Sequence, residues 1–290
     1  MTLLRTLFVS SRPLSWINTA YPFAMAYWLS GNDNPAVLVV GTLFFLVPYN
    51  VAMYGINDVF DYESDIRNPR KGGIEGALVP PSLHAPILWS SAALAAPFVI
   101  FLVASGNPTS WWVLAASLFA VVAYSAKGLR FKEKPFLDSI TSSFHFVSPA
   151  LYAFSLAEAP ASAALTASMV AFFLWGMASH AFGAVQDVVA DREGGLASIA
   201  TVIGARWTVR LAVTLYALAG VILLAGPWPL GLVAPAAFLY CAAIVQWWNV
   251  SDANSADANR GWKRFLALNF VAGAAVTITI IASVTGLLPA

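Results

Sequence analysis

Residues 36–65 read AVLVVGTLFFLVPYNVAMYGINDVFDYESD. The first two thirds are apolar and long enough to cross a bilayer, because roughly 17 to 25 such residues span about 30 Å of hydrocarbon. The last third turns acidic, with Asn57, Asp58, Asp61 and Asp65 in close succession. If the helix continues through them, Asp58, Asp61 and Asp65 stand at i, i+3 and i+7 along one face, and Asn57 and Asp61 share a neighbouring stripe. A later apolar run, 161–185, ends the same way, with Asp187 and Asp191 at an i, i+4 spacing. An acid inside a hydrocarbon layer costs about 3 kcal/mol unless something cationic compensates it. Two such clusters at helix ends therefore point to a bound metal, a bound cation or a proton path.

Outward from these stretches, nine apolar runs are legible near 14–30, 36–56, 85–104, 109–127, 137–157, 161–185, 207–225, 230–250 and 265–288. The chain of 290 residues is 59% hydrophobic and 10% charged, whereas a soluble domain carries about 25% charged residues. A water-soluble core is excluded, and the expectation is a single all-α domain over 1–290, a polytopic membrane protein with nine transmembrane helices. The first run contains Pro22, follows Arg5 and Arg12 and lacks an Ala-x-Ala cleavage site, so it reads as a retained helix, with the mature chain beginning near Met1. Cys241 is the sole cysteine, which excludes an intramolecular disulfide and a multi-thiolate metal site. The net charge of +1 argues against a nucleic-acid partner, which would need clustered excess cations.

Connections between the runs alternate between short, nearly uncharged segments and longer charged ones. All 15 Lys and Arg residues fall on one side, which the positive-inside rule makes the cytoplasm, with the N-terminus and the acid clusters inside. The tryptophans near both interfaces, among them Trp111, Trp112, Trp247 and Trp248, read as an aromatic belt.

Carboxylates this close repel one another unless a cation intervenes. Hard oxygen donors without adjacent Cys or His favour Mg²⁺, which is usually held by one or two carboxylates together with substrate phosphates. A phosphorylated ligand is therefore expected, with cations nearby in Arg67, Arg70, Lys71, Arg192 and the stretch Lys127-x-x-Arg130-x-Lys132. Mg²⁺ and basic side chains stabilise charge on a departing diphosphate, so an allylic C–O bond can ionise. Membrane helices keep water from the carbocation, and an aromatic face such as Tyr124 stabilises it by roughly 0.5–2 kcal/mol. Prenyl transfer follows from this reading.

The stretches Asn57-Asp58-Val-Phe-Asp61-Tyr-Glu-Ser-Asp65, Tyr124-Ser-Ala-Lys127-Gly-Leu-Arg130 and Asp187-Val-Val-Ala-Asp191-Arg192 resemble those of the UbiA superfamily of intramembrane prenyltransferases, over essentially the whole chain. The resemblance implies helices ringed around a central cavity. It also implies a catalytic set of Asp58, Asp61, Asp187, Asp191 and Tyr124. Asn57, Asp58, Asp61, Asp65, Asp187 and Asp191 would serve Mg²⁺, and Asn57, Arg67, Lys71, Lys127, Arg130 and Arg192 the diphosphate. Ser11-Arg12-Pro-Leu-Ser-Trp16, Asn68-Pro-Arg-Lys71 and Ser198-Ile-Ala-Thr201-Val-Ile-Gly are most similar to bacterial lycopene elongases. That similarity implies transfer of dimethylallyl units from dimethylallyl diphosphate onto the ends of lycopene, giving C45 and C50 carotenoids in a bacterial cell membrane. A carotenoid cyclase is a further implied partner. Ser15, Trp16 and Asn18 would line the acceptor path. Quinone-type members carry a lysine after the second motif, and residues 194–200 contain none. Ser198 and Thr201 are read either as hydroxyl donors to the ligand or as helix-capping residues.

No Lys or Arg lies inside the spans, apart from Arg210 near an end, so nothing clamps an aromatic carboxylate, while an uncharged polyene needs no clamp. The alternative is an aromatic or quinone-precursor acceptor. His145 and His180 read as packing or hydrogen-bonding residues before they read as bases. A cation-coupled transporter would need ionisable residues continuing to the outer face, and the outer halves are apolar. A structural membrane subunit would leave the paired clusters without purpose. The connection 57–84, with Gly72-Gly73 and Pro80-Pro81, reads either as a cap over the site or as a passive link.

Overall fold

Asn34-Pro35 and Asn107-Pro108 each open a helix: the asparagine oxygen accepts from free backbone N–H groups, and the proline occupies a first-turn position where no donor is needed. Ser162 and Ser198 cap two more. The computed structural model, which describes residues 2–66 and 77–288, contains thirteen α-helices among the described residues. They are α1 (Leu3–Ser10), α2 (Ile17–Leu29), α3 (Pro35–Leu46), α4 (Pro48–Phe60), α5 (Tyr62–Asp65), α6 (His84–Ala104), α7 (Pro108–Ser125), α8 (Leu137–Leu156), α9 (Ala163–Val185), α10 (Val188–Glu193), α11 (Ile199–Ala225), α12 (Ala234–Ile244) and α13 (Asn259–Val284). The all-helical class expected from composition is what folds.

Seven segments among the described residues are long and apolar enough to cross a membrane: Pro35–Phe60, Pro81–Ala104, Pro108–Ser125, Ala163–Val185, Ile199–Ala225, Leu230–Trp247 and Asp252–Val284. The other two expected spans are helical but different in kind. α2 has 13 residues, about 20 Å at 1.5 Å per residue. α8 has the length but carries Asp138, Ser139, Thr141, Ser143, His145 and Ser148, all buried.

Packing divides the chain, expected as a single domain over 1–290, into two compact units: 1–131 with 144–160, and 132–143 with 161–290. In the first, α2 lies on α3, α4 on α6 and α7, and α1 on α4. Its centre is aromatic, with Phe23, Phe45, Tyr49 and Tyr152 in ring contact at 5.1–6.1 Å. Gly41 is required there, because a side chain would enter the Phe23 ring. In the second unit, α11 packs on α9 and α12, and α12 on α13. Tyr216, Tyr240, Trp175 and Phe265 form its aromatic centre.

The run 36–56 is two helices, not one. Pro48 lacks a backbone N–H, and Val47 at φ −117°, ψ −65° turns the chain between α3 and α4. The carbonyls released by the break are met by side chains: Asn50 Nδ2 donates to Phe45 O at 2.8 Å and Leu46 O at 3.1 Å, and the Thr19 hydroxyl donates to Phe45 O at 2.7 Å. Asn50 is fully buried. Replacing it by leucine, which can offer these carbonyls nothing, is expected to cost about 1–3 kcal/mol. Thermal unfolding in detergent measures this as a lowered Tm, and an unchanged Tm contradicts the account.

Candidate functional site

Helical register persists through the first acid cluster. The Asp61 amide donates to Asn57 O at 2.9 Å and the Asp65 amide to Asp61 O at 2.8 Å, so α4 runs through Asp61 into α5. Asn57, Asp61 and Asp65 therefore follow one another at i, i+4 and i+8 on one stripe, whereas the face expected from the spacing joined Asp58 to Asp61 and Asp65; Asp58 is turned instead to Arg12 and Ala77. Asp61 and Asp65 are 8% and 5% exposed, deep for carboxylates.

The surroundings within this unit supply compensation. Arg130, at the end of the turn after α7, places Nη2 3.9 Å from Asp61 Oδ1 and donates through Nη1 to Phe60 O at 3.4 Å. The Ser125 hydroxyl donates to Asn57 Oδ1 at 3.0 Å. The turn carrying Lys127 and Arg130 is made by Gly128 at φ 91° and Arg130 itself at φ 42°. Lys127 is exposed. Of the third basic stretch, expected to supply cations to a phosphorylated ligand, Arg130 is the residue that lies beside the first acid cluster. Arg67 and Lys71 lie outside the described residues.

Asp58 has no exposed surface. Its Oδ1 pairs with Arg12 Nη2 at 3.3 Å, and its Oδ2 accepts the Ala77 N–H at 3.1 Å. No local signal pairs Arg12 with Asp58, because the two lie 46 positions apart. Tyr124 lies edge-on to the His145 ring with centroids 5.2 Å apart. Trp16 donates through Nε1 to Ser11 O at 3.0 Å and packs on Phe8, while Ser15 and Asn18 are partly buried.

In the second unit, Asp187 stands at the N-cap of α10, and the Asp191 amide donates to Asp187 O at 2.8 Å, so the pair spans one helical turn. Both are partly exposed. Arg192 is turned to the protein: Nε and Nη2 donate to Thr201 O at 3.0 and 2.7 Å, and Nη1 pairs with Asp252 Oδ2 at 2.6 Å. The other oxygen of Asp252 accepts the Ala205 N–H at 2.7 Å, just after Gly204 breaks α11 at φ 81°, ψ 160°. Arg192 therefore braces the second motif against α11. Ser198 and Thr201 form a reciprocal capping box, which decides for the capping reading of these hydroxyls.

Buried Asp138 also serves α11, accepting the Ile199 N–H at 2.7 Å, and the adjacent Ser139 hydroxyl meets His180 Nδ1 at 3.1 Å. Sequence reading passed over Asp138 and Asp252. Each acts on a helix start 47 or more positions away, which periodicity does not register.

The donor chemistry of both motifs suits Mg²⁺: carboxylate and amide oxygens on helical turns, with basic residues beside them. Among the described residues, no three His, Cys, Asp or Glu side chains converge as a closed metal cage.

The profile of the UbiA prenyltransferase family matches residues 19–282. The "C(50) beta-cyclic carotenoids biosynthesis protein LbtBC" of Dietzia sp. (strain CQ4) is 56% identical over 97% of this chain, which spans 66% of that protein's length. The "Lycopene elongase/hydratase" of Corynebacterium glutamicum is 52% identical over 97% of this chain and 98% of its own. Among solved structures, a UbiA homologue from Archaeoglobus fulgidus bound to DMAPP and Mg²⁺ superposes with a TM-score of 0.68 at 18% identity, covering 92% of this chain and 98% of that one. At that identity the likeness speaks for the fold. Together with the family match over nearly the whole chain, it places this polytopic helical protein among membrane prenyltransferases: the chain belongs to the UbiA prenyltransferase family.

Proposed function

We propose that the protein transfers dimethylallyl units from dimethylallyl diphosphate to the ends of lycopene, forming C45 and then C50 carotenoids with Mg²⁺. The observation that carries this reading is the 52% identity to the Corynebacterium glutamicum lycopene elongase/hydratase, which extends over 98% of that protein. The first motif's Asn57, Asp61 and Asp65 and the second motif's Asp187 and Asp191 are the residues that would hold Mg²⁺. Bound Mg²⁺ would supply positive charge to the leaving diphosphate. Lys127 and Arg130, with Arg67 and Lys71, add charge-assisted contacts to the same oxygens. Asp58 belongs instead to the framework, since both its oxygens are engaged inside the protein. Arg192 does too, through Thr201 and Asp252.

In the proposed reaction the allylic C–O bond breaks with its electron pair on the diphosphate, and the C1 carbon is attacked by the terminal alkene of the polyene. Tyr124 offers an aromatic face to the allylic cation. The cation left on the acceptor is then discharged by loss of a proton or by addition of water. The surface apolarity of the spans, with Trp89, Trp112, Phe270 and Ile278 mostly exposed, admits a lipophilic acceptor from the bilayer. The basic residues set the active-site ends and the N-terminus in the cytoplasm of a bacterial cell. The cyclase partner gains no support from the comparisons.

Membranes containing the protein, incubated with dimethylallyl diphosphate, Mg²⁺ and lycopene, are expected to accumulate C45 and then C50 products, and chelation of the metal should stop the reaction. Product mass separates proton loss from water addition. Transfer to an aromatic acceptor with lycopene untouched would reject the acceptor assignment.

A further inference from the structure

Arg12 joins α1 to the 3-10 turn Pro13–Ser15. Its backbone lies at φ 50°, ψ 70°, the left-handed region that a side chain disfavours, and the following proline restricts it further. Its guanidinium lies 4.3 Å over the Tyr54 ring and pairs with Asp58. Its Nε is buried without a hydrogen-bond partner among the described residues. Strain of this kind and an orphaned donor are each unfavourable. A cation needed only to anchor the chain at a membrane surface would extend to water with a relaxed backbone.

The contacts on the far side of Asp58 indicate what the strain holds. Asp58 Oδ2 receives the Ala77 N–H, and Ala77 and Val79 pack with Val59 in one apolar cluster. Leu3 and Leu7 of α1 lie against the same cluster. One buried carboxylate thus ties together the N-terminal segment, the Asp-bearing helix and the chain that returns after the acid motif.

We propose that Arg12 is a positioning residue which, through Asp58, keeps α1 and residues 77–79 seated against α4 and so holds the Asp61 and Asp65 face in its working geometry. This rests on the reading of that face as the diphosphate site. Arg12 compensates the Asp58 charge and keeps its second oxygen aimed at Ala77. Without the guanidinium, Asp58 is buried without a counter-charge and turns toward water, releasing the Ala77 amide.

The test uses the full-length protein in nanodiscs with Arg12→Gln, Asp58→Asn and Arg12→Lys. Hydrogen exchange is measured without substrate, and kinetics with dimethylallyl diphosphate and lycopene. Arg12→Gln and Asp58→Asn should each speed exchange at Ala77 about tenfold, the equivalent of one charge-assisted hydrogen bond. Each should raise KM for the diphosphate about tenfold while kcat changes less than about threefold, and the double variant should be no worse than either single one. Arg12→Lys, which keeps the charge, should recover most of the protection and of KM.

Lost activity with unchanged exchange would make Arg12 a direct substrate contact and overturn the proposal. Unchanged exchange and kinetics would reduce the pair to anchoring, and overturn it equally. Because exchange is read without substrate, a protein that proves inactive on lycopene still reports on the Arg12–Asp58 tie. If Arg12→Gln does not insert, Asp58→Asn and Arg12→Lys carry the comparison, and full Ala77 protection in Asp58→Asn overturns it.

Discussion

Asp61→Ala and Asp187→Ala are each expected to lower turnover by about 10³-fold or more while the protein still inserts into membranes. The magnitude follows from what each carboxylate is assigned to do. Removing a single preorganised group that stabilises developing charge costs about 10²–10³ in rate, and loss of a metal ligand also weakens the ion that neutralises the leaving group. Asp61 is suited to this role because it is 8% exposed and has Arg130 Nη2 3.9 Å away. Asp187 begins the α10 turn that ends on Asp191 and is itself partly exposed. Single-turnover transfer from labelled dimethylallyl diphosphate provides the measurement. Near wild-type turnover in either variant would remove the metal-site reading. Asp58→Ala should behave differently, losing stability as well as activity, because it strands Arg12 and the Ala77 amide inside the protein.

Gly204→Val should be the most damaging substitution away from the carboxylates. At φ 81°, ψ 160° the backbone occupies a region that is essentially glycine-only, at a strain of about 1–3 kcal/mol for any other residue. A Cβ there would also sit 3.2 Å from Asp252 Oδ1, the atom that accepts the Ala205 N–H. Valine, branched at Cβ, would push that carboxylate aside and uncap the longer part of α11. The Arg192–Asp252 pair is 43% and 38% exposed on its two sides, so its own Coulomb energy is small. Its worth lies in geometry: with Asp252 displaced, Arg192 loses one of the two partners that brace the second acid motif. The expected result is destabilisation of roughly 2–4 kcal/mol together with at least a tenfold loss of activity, read by thermal unfolding and by turnover. A variant with normal Tm and normal turnover would show that the break at Gly204 does not support the motif.

Much of the site is legible without coordinates. The spacing of Asn57, Asp61 and Asp65 is enough to place them on one stripe once the helix is known to continue, and α4 does continue through them. Arg130 is legible as a cation for the ligand because basic residues at the end of one apolar run fall on the same side as acids at the end of another, while its place beside Asp61 comes from the fold. The i, i+3, i+7 spacing groups Asp58 with Asp61 and Asp65, and here the spacing misleads. Adjacent residues on a helix point about 100° apart, so a motif read as one cluster contains a side chain aimed inward at Arg12. Arg192 was read as a ligand because it follows an aspartate, yet its guanidinium is directed to a carbonyl nine positions ahead and a carboxylate sixty ahead.

The sequence alone determined that this is an all-helical membrane protein, where α3 and α6 to α9 begin, and which turns carry the acids. These depend on the transfer of apolar side chains out of water, on proline's missing donor and on the 3.6-residue repeat, all of them short-range and readable in a window of about twenty positions. Tertiary structure alone decided that Thr19 reaches the gap which Pro48 opens between α3 and α4, that Arg12 and Asp58 meet, and that Asp252 caps the resumed α11. Each of these is a contact between distant segments, in which a buried polar group must find its one partner through packing, and nothing local in the chain specifies which partner that is.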